Sequence, residues 1–149
     1  MAEVGTDMSR FPTAGHLASW AGMCPGNNQS GGKRLSSKAR QGTRWLKTAL
    51  VEAAQAAGRT KGTYLGAQFR RLAARIGRKK AAIAVGHSIL VSVWYLLQRG
   101  TTYRDLGSGY FDERDRQLVE RRLVRRLEDL GYRVALTPVA PAPPVASAA

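Results

Sequence analysis

Between Pro25 and Arg34 the chain reads Pro-Gly-Asn-Asn-Gln-Ser-Gly-Gly-Lys-Arg, a run through which no helix can continue. Proline removes an amide donor, and glycine populates backbone angles closed to other residues. The stretch is therefore a turn, with a short helical pattern before it and a long one after it. One serine, Ser30, is held among its glycines, and a run of cations follows at once: Lys33, Arg34, Lys38, Arg40, Arg44 and Lys47. Two readings fit these residue types. In the plainer one the stretch is a polar hairpin between helices, with serine present for turn chemistry. In the other, an exposed hydroxyl beside clustered positive charge is a nucleophile facing a large anionic substrate.

The charge distribution bears on that choice. Of a formal net charge of +14, residues 33–80 carry +13, with fourteen Lys/Arg against the single acid Glu52. Charge of this density in one third of a chain favours nucleic acid or an anionic membrane surface as partner; a solvated basic surface without a specific partner is the plain alternative. The only cysteine, Cys24, excludes an intrachain disulfide, and a lone thiol fits a reducing cytoplasm. The first twenty residues carry acids and no long apolar run, so they do not read as a secretion signal. Ala81–Leu97 is apolar enough to test as a membrane span, but Gly86, His87, Ser88 and Ser92 interrupt it and a buried core helix fits better.

Apolar spacing predicts an all-α fold, a compact bundle of about five helices with a glycine-rich basic loop and a disordered Pro/Ala-rich C-terminal tail. Residues 1–12 read as the tail end of a preceding segment, 13–135 as the helical domain and 136–149 as the tail. The first helix spans about Ala14–Ala21, with Thr13 as N-cap and Leu17, Trp20 and Ala21 directed to the core. The turn and basic loop occupy about 25–42. A second helix, about Thr43–Ala57, carries Leu46, Leu50, Ala53 and Ala57 on one face and ends at Gly58 as a C-cap. The third, about Tyr64–Ile76, opposes Leu65, Phe69, Leu72 and Ile76 to a cationic face with Arg71 and Arg75. The fourth, about Lys80–Gln98, places His87 on its apolar face, as a core histidine bonded to a neighbour. A fifth, about Glu113–Leu130, is capped by Asp112, and Tyr132–Leu136 is a short strand or an extended tail.

Several chemistries are excluded. A P-loop would need glycine at position 27 and Ser/Thr at position 34, where the chain has Asn27 and Arg34. The strand–GxSxG–helix context of a serine hydrolase is missing. No metal-ligand spacing occurs, and residues 11–104 contain one acid, so this chain cannot by itself build a two-metal phosphodiester centre.

The ordered segments Arg10-Phe11-Pro12-Thr13-Ala14-Gly15-His16-Leu17-Ala18-Ser19-Trp20-Ala21-Gly22, Pro25, and Gln29-Ser30-Gly31-Gly32-Lys33 resemble the C-terminal half of insertion sequence 110 family transposases, grouped with 116 and 902. Gly42-Thr43-Arg44-Trp45-Leu46 is similar to the family's Gly-Asn-Arg-x-Leu segment, with Thr43 in place of the usual asparagine. Arg78-Lys79-Lys80-Ala81-Ala82-Ile83-Ala84-Val85-Gly86-His87 is similar to its Lys-Lys-Ala helix. The resemblance covers about residues 8–104.

The resemblance implies a DNA transposase or site-specific recombinase domain in which Ser30 is the nucleophile and a phosphoserine DNA intermediate forms. Four acids of an N-terminal ribonuclease-H-like domain, absent from this chain, would bind Mg2+, so that no cofactor is bound by this chain alone. It also implies DNA and a guiding noncoding RNA as partners, homo-oligomeric assembly, no membrane, and a bacterial, cytoplasmic, nucleoid-associated location. The nucleic-acid-facing residues expected are Lys33, Arg34, Lys38, Arg40, Arg44, Lys47, Arg71, Arg75, Lys79 and Lys80. The alternative is a non-catalytic basic nucleic-acid-binding or assembly module, the remnant of a truncated transposase.

Overall fold

A computed structural model describes residues 3–137 except 27, 37, 38 and 40; the side chains of Asn28 and Arg34 are likewise outside the description. The expected disordered tail falls mostly on 138–149, outside the described residues. The chain divides into two units, Met1–Phe111 and Asp112–Ala149.

In the first unit a short 3-10 turn, Met8–Arg10, leads to α1 (Ala14–Trp20), α2 (Arg44–Arg59), α3 (Tyr64–Ile76) and α4 (Arg78–Arg99), with one two-stranded hairpin between α1 and α2. The all-α expectation holds, and α4 is its organising element, packed by α1, α2 and α3. The sequence explains that centrality. Ala81, Ala82, Val85, Gly86, Leu90 and Trp94 are buried on α4, and small residues let neighbouring helices come close. A Cβ on Gly86 would lie 2.7 Å from the Met23 terminal methyl and 3.2 Å from the Leu50 carbonyl oxygen. Two buried clusters flank α4. One joins it to α1 and the N-terminal segment through Leu17, Ala18 and Phe11. The other joins it to α2 and α3 through Ala54 and Phe69. At 22 residues α4 is also long and apolar enough to cross a membrane, but the helices packed along it make it a core helix.

The caps follow local chemistry. Thr13, with extended φ −142°, accepts the His16 amide through its hydroxyl, and Thr63 accepts the Gly66 amide in the same way. Gly77, at φ +82°, closes α3 and opens α4. A long-range bond ties the N-terminal segment down: the Trp94 indole N–H donates to the Phe11 carbonyl at 3.1 Å, across 83 residues of sequence.

Four expectations are corrected. Trp20 does not enter the core; it is 43% exposed and leans on Phe11 with ring centroids 5.6 Å apart. On α2 the buried alanine is Ala54 rather than Ala53. Gly58 does not cap α2, which runs on to Arg59. Its missing Cβ instead makes room for the Phe69 ring, which a Cβ would approach to 2.6 Å. The loop expected over 25–42 contains the hairpin, β1 (Asn28–Ser30) and β2 (Lys33–Ser36).

The second unit holds α6 (Arg116–Asp129), preceded by a single turn, α5 (Tyr110–Arg114), that spans the division. One helix was expected here; Asp115, at φ −113° and ψ 29°, interrupts it. α6 ends in a Schellman turn, with the Tyr132 amide donating to the Leu127 carbonyl, the Gly131 amide to the Glu128 carbonyl, and Gly131 at φ +90°. Residues 132–137 carry neither helix nor strand.

Candidate nucleic-acid interface

The hairpin turns through two residues, Gly31 and Gly32, at φ +55° and +75°. Two consecutive positive-φ residues between paired strands are the arrangement of a type I′ turn, which matches the twist of the strands it joins and demands residues tolerant of that region. The turn fixes the register: Ser30 pairs with Lys33 and Gln29 with Arg34, while an irregularity before Gln29 brings Asn28 opposite Ser36. Residues directly opposite in an antiparallel pair share a face, with Cβ atoms about 4.5–5.5 Å apart. Ser30 and Lys33 are thus neighbours on one face at the hairpin tip. Both are exposed, and the Ser30 hydroxyl has no hydrogen-bond partner among the described residues. The Arg34 side chain, Lys38 and Arg40 lie outside the described residues.

The base of the hairpin is pinned twice. Pro25 bridges Ala39. Beyond it, Gly42 runs against the end of α1, where a Cβ would lie 2.3 Å from the Ala21 carbonyl carbon and the Gly22 nitrogen. Only glycine permits that approach, so the chain returns to α1 before α2 begins at Arg44. Exposed Arg44 and half-buried Lys47 therefore follow directly on α2; Lys47 is already engaged in a contact of its own.

Beside the hairpin base lies an open groove of about 800 Å³. Pro25, Ser36 and Ala39 line one side; Lys79, Lys80, Ile83 and His87 of α4 line the other. The structure thus brings Lys79 and Lys80 to the hairpin. His87 is a groove residue and not a core one: it is half-buried, with no hydrogen-bond partner among the described residues. Arg71 is placed elsewhere, with its guanidinium carbon 5.1 Å from the Phe111 ring centroid. Arg75 is exposed in the last turn of α3 and does not line the groove.

Trp45 was not among the candidates, yet it is 76% exposed next to Arg44. Its signal was legible: position 45 falls off the Leu46–Leu50 stripe of α2. Leu35, on β2, is 64% exposed as well.

Among the described residues no group of three or more His, Cys, Asp or Glu converges on a point. The described residues therefore offer no ligand set that fits Mg2+. His16 is taken up locally, its Nδ1 2.8 Å from the Thr13 hydroxyl.

Residues 1–70 match the family model described as Transposase IS116/IS110/IS902 family. The chain is similar to a "Probable family 20 transposase" of Pseudomonas aeruginosa, 31% identical over 102 residues, which is 66% of this chain and 30% of that protein. It therefore spans less than a third of that relative's length. No solved structure matches the chain. Through these matches, and over its first seventy residues, the chain is similar to the IS116/IS110/IS902 family of transposases.

Proposed function

We propose that the Ser30 hairpin is the nucleophile-bearing edge of a DNA transposase domain. The observation that carries this reading is the placement of one hydroxyl at an exposed two-glycine turn, directly opposite Lys33 and free of competing hydrogen bonds among the described residues. A nucleophile that must reach a phosphodiester inside a DNA strand needs that protrusion, and the attacked phosphate needs a cation beside it. In the step itself the Ser30 Oγ loses its proton and forms a bond to phosphorus. The bond from phosphorus to the departing sugar oxygen breaks, and that oxygen takes up a proton. Lys33 holds the scissile phosphate, and Lys79 and Lys80 hold flanking phosphates along the groove.

The acids that take up the Ser30 proton and hold Mg2+ belong, in this reading, to a ribonuclease-H-like domain outside this chain. DNA is the substrate, a noncoding RNA guides its choice, and the complete enzyme assembles from several copies. The test is strand transfer reconstituted with that acidic domain. Ser30→Ala should abolish transfer while DNA binding persists; undiminished transfer would remove Ser30 from the mechanism.

A second reading is favoured by the scarcity of acids, with one carboxylate between residues 11 and 104: a basic module that binds nucleic acid without cutting it. Wild-type protein that binds DNA but stays inert when supplied with the acidic domain would support this reading and contradict the first.

A further inference from the structure

A second cavity lies away from the Ser30 hairpin, in the same unit of the chain, where the C-terminal half of α4 meets the start of α3 and the segment after Gly100. Its volume is about 390 Å³, and it is walled by Tyr64, Tyr95, Tyr103, Arg99, Arg104 and Leu106, among others. We infer that this cavity is a binding site for one unpaired nucleotide of a single-stranded nucleic acid, with the base against the tyrosines and the phosphate on Arg99 and Arg104. The inference rests on the reading of the chain as a nucleic-acid-binding protein, but it does not depend on Ser30.

Three observations argue for it. First, the aromatic walls remain available in spite of their size. Tyr95 is 42% exposed and Tyr103 47% exposed, whereas Tyr64 is held in place by Phe111, stacked at 5.0 Å with planes 19° apart. Arg99 already lies over an aromatic, its guanidinium carbon 4.9 Å from the Tyr95 ring centroid. Layers of arginine and aromatic rings are the surfaces on which unpaired bases stack.

Second, the cations are not taken up by carboxylates. Neither Arg99 nor Arg104 has an acidic partner among the described residues. The one acid on the adjoining loop, Asp105, is occupied otherwise: it accepts the Tyr64 amide at 3.0 Å, the Gly107 amide at 2.7 Å and the Tyr103 hydroxyl at 3.2 Å. The Asp105 carboxylate thus clamps the loop and does not pair with either arginine. Third, the size suits one base and its sugar, at the lower end of the roughly 300–1,000 Å³ typical of small-ligand sites. A duplex could not present a base to it without unpairing. An acidic peptide would satisfy the arginines but has no flat faces for the tyrosines.

Lys80 and Tyr95 are separated by about 22 Å along α4, at 1.5 Å per residue. The cavity and the hairpin groove would therefore hold different nucleotides.

The test is equilibrium binding of labelled oligothymidylate, oligouridylate and a matched DNA duplex to the full chain at physiological salt. Tyr95→Ala should weaken single-strand binding roughly 5- to 150-fold, the loss expected for removing one stacking contact. Tyr95→Phe should retain it, and duplex affinity should hold in both. Arg104→Ala, at an exposed loop position where folding is not at stake, should lower the salt slope of single-strand binding by about one. Preference for the ribo- or deoxyribo-oligomer identifies which strand occupies the site; binding of either supports it. Single-strand affinity unchanged in both Tyr95→Ala and Arg104→Ala, in protein that binds the duplex normally, would overturn the inference alone. Wild-type protein that binds neither single strands nor duplex would overturn it together with the nucleic-acid reading.

Discussion

At the scale of single residues, the consequential positions are those where one atom decides whether the chain can take its path. Gly42 is the sharpest case, because a methyl there meets backbone and not a side chain that could swing away. Gly42→Ala should destabilise the first unit by about 1–3 kcal/mol or more, read as a fall in Tm of roughly 4 °C per kcal/mol or greater. An unchanged Tm would mean that α1 and the start of α2 separate readily. Trp94→Phe keeps most of the ring but leaves the buried Phe11 carbonyl without its donor. The expected cost is about 1–3 kcal/mol, checked by denaturant unfolding of the variant. Neither effect can be read from residue types. Gly42 belongs to a segment that resembles a family motif, but only the approach of Ala21 and Gly22 shows why glycine is there. The Thr13 and Thr63 caps, by contrast, depend on neighbours three residues away, and the Thr13 cap was legible at once.

At the scale of elements, the helices of the first unit were legible because their apolar residues recur at helical spacing. Their starts and ends follow local glycine and threonine chemistry. The hairpin was less so. Its strands, of three and four residues, are too short for an alternating pattern to stand out, and Leu35 alone among them is apolar. What specifies it is the Gly31-Gly32 turn, whose positive φ values argue for a graded test. Gly31→Asn should preserve strand transfer, since asparagine is favoured in type I′ turns. Gly31→Val should impair it by straining a left-handed position, at a cost of about 1–2 kcal/mol. Equal activity of the two variants would show that the turn geometry is immaterial. The break at Asp115 was missed because the stripe of Val119, Leu123, Leu127 and Leu130 lies wholly after it, so apolar spacing carries no mark of an interruption at 115. The loop after α4 carries its own prediction. Asp105 is held below the usual carboxylate range, chiefly by the Tyr64 amide and then by the Gly107 amide and the Tyr103 hydroxyl, with burial opposing. A depressed folded-state value stabilises the loop above the unfolded carboxyl range near about 4. That contribution is lost as pH falls through the lower folded value. The protection of the Tyr64 and Gly107 amides, each exchange rate taken against its intrinsic rate at the same pH, should fall on acidification below about pH 4, and Asp105→Asn should remove that fall.

At the scale of the whole molecule, the described cations of the basic third do not share one place. Lys33 lies at the hairpin tip, Lys79 and Lys80 line the groove at its base, and Arg71 rests on Phe111. Charge counting located this region but could not divide it, because residues far apart in sequence meet only after folding. The division predicts unequal effects. Lys33→Ala with Lys79→Ala should reduce the slope of log affinity against log salt for duplex DNA by about two. An unaltered slope would show that these lysines do not contact phosphate. The scarcity of acids is the complementary global fact, and in the proposed reading catalysis requires an acidic domain beside this chain. The most direct measurement is therefore to incubate the chain and that domain with a nicked DNA substrate that traps the covalent step, then to locate the adduct by mass spectrometry. The account predicts a phosphodiester link on Ser30 and none in Ser30→Ala. An adduct that persists in Ser30→Ala, or one mapped to another residue, would contradict it.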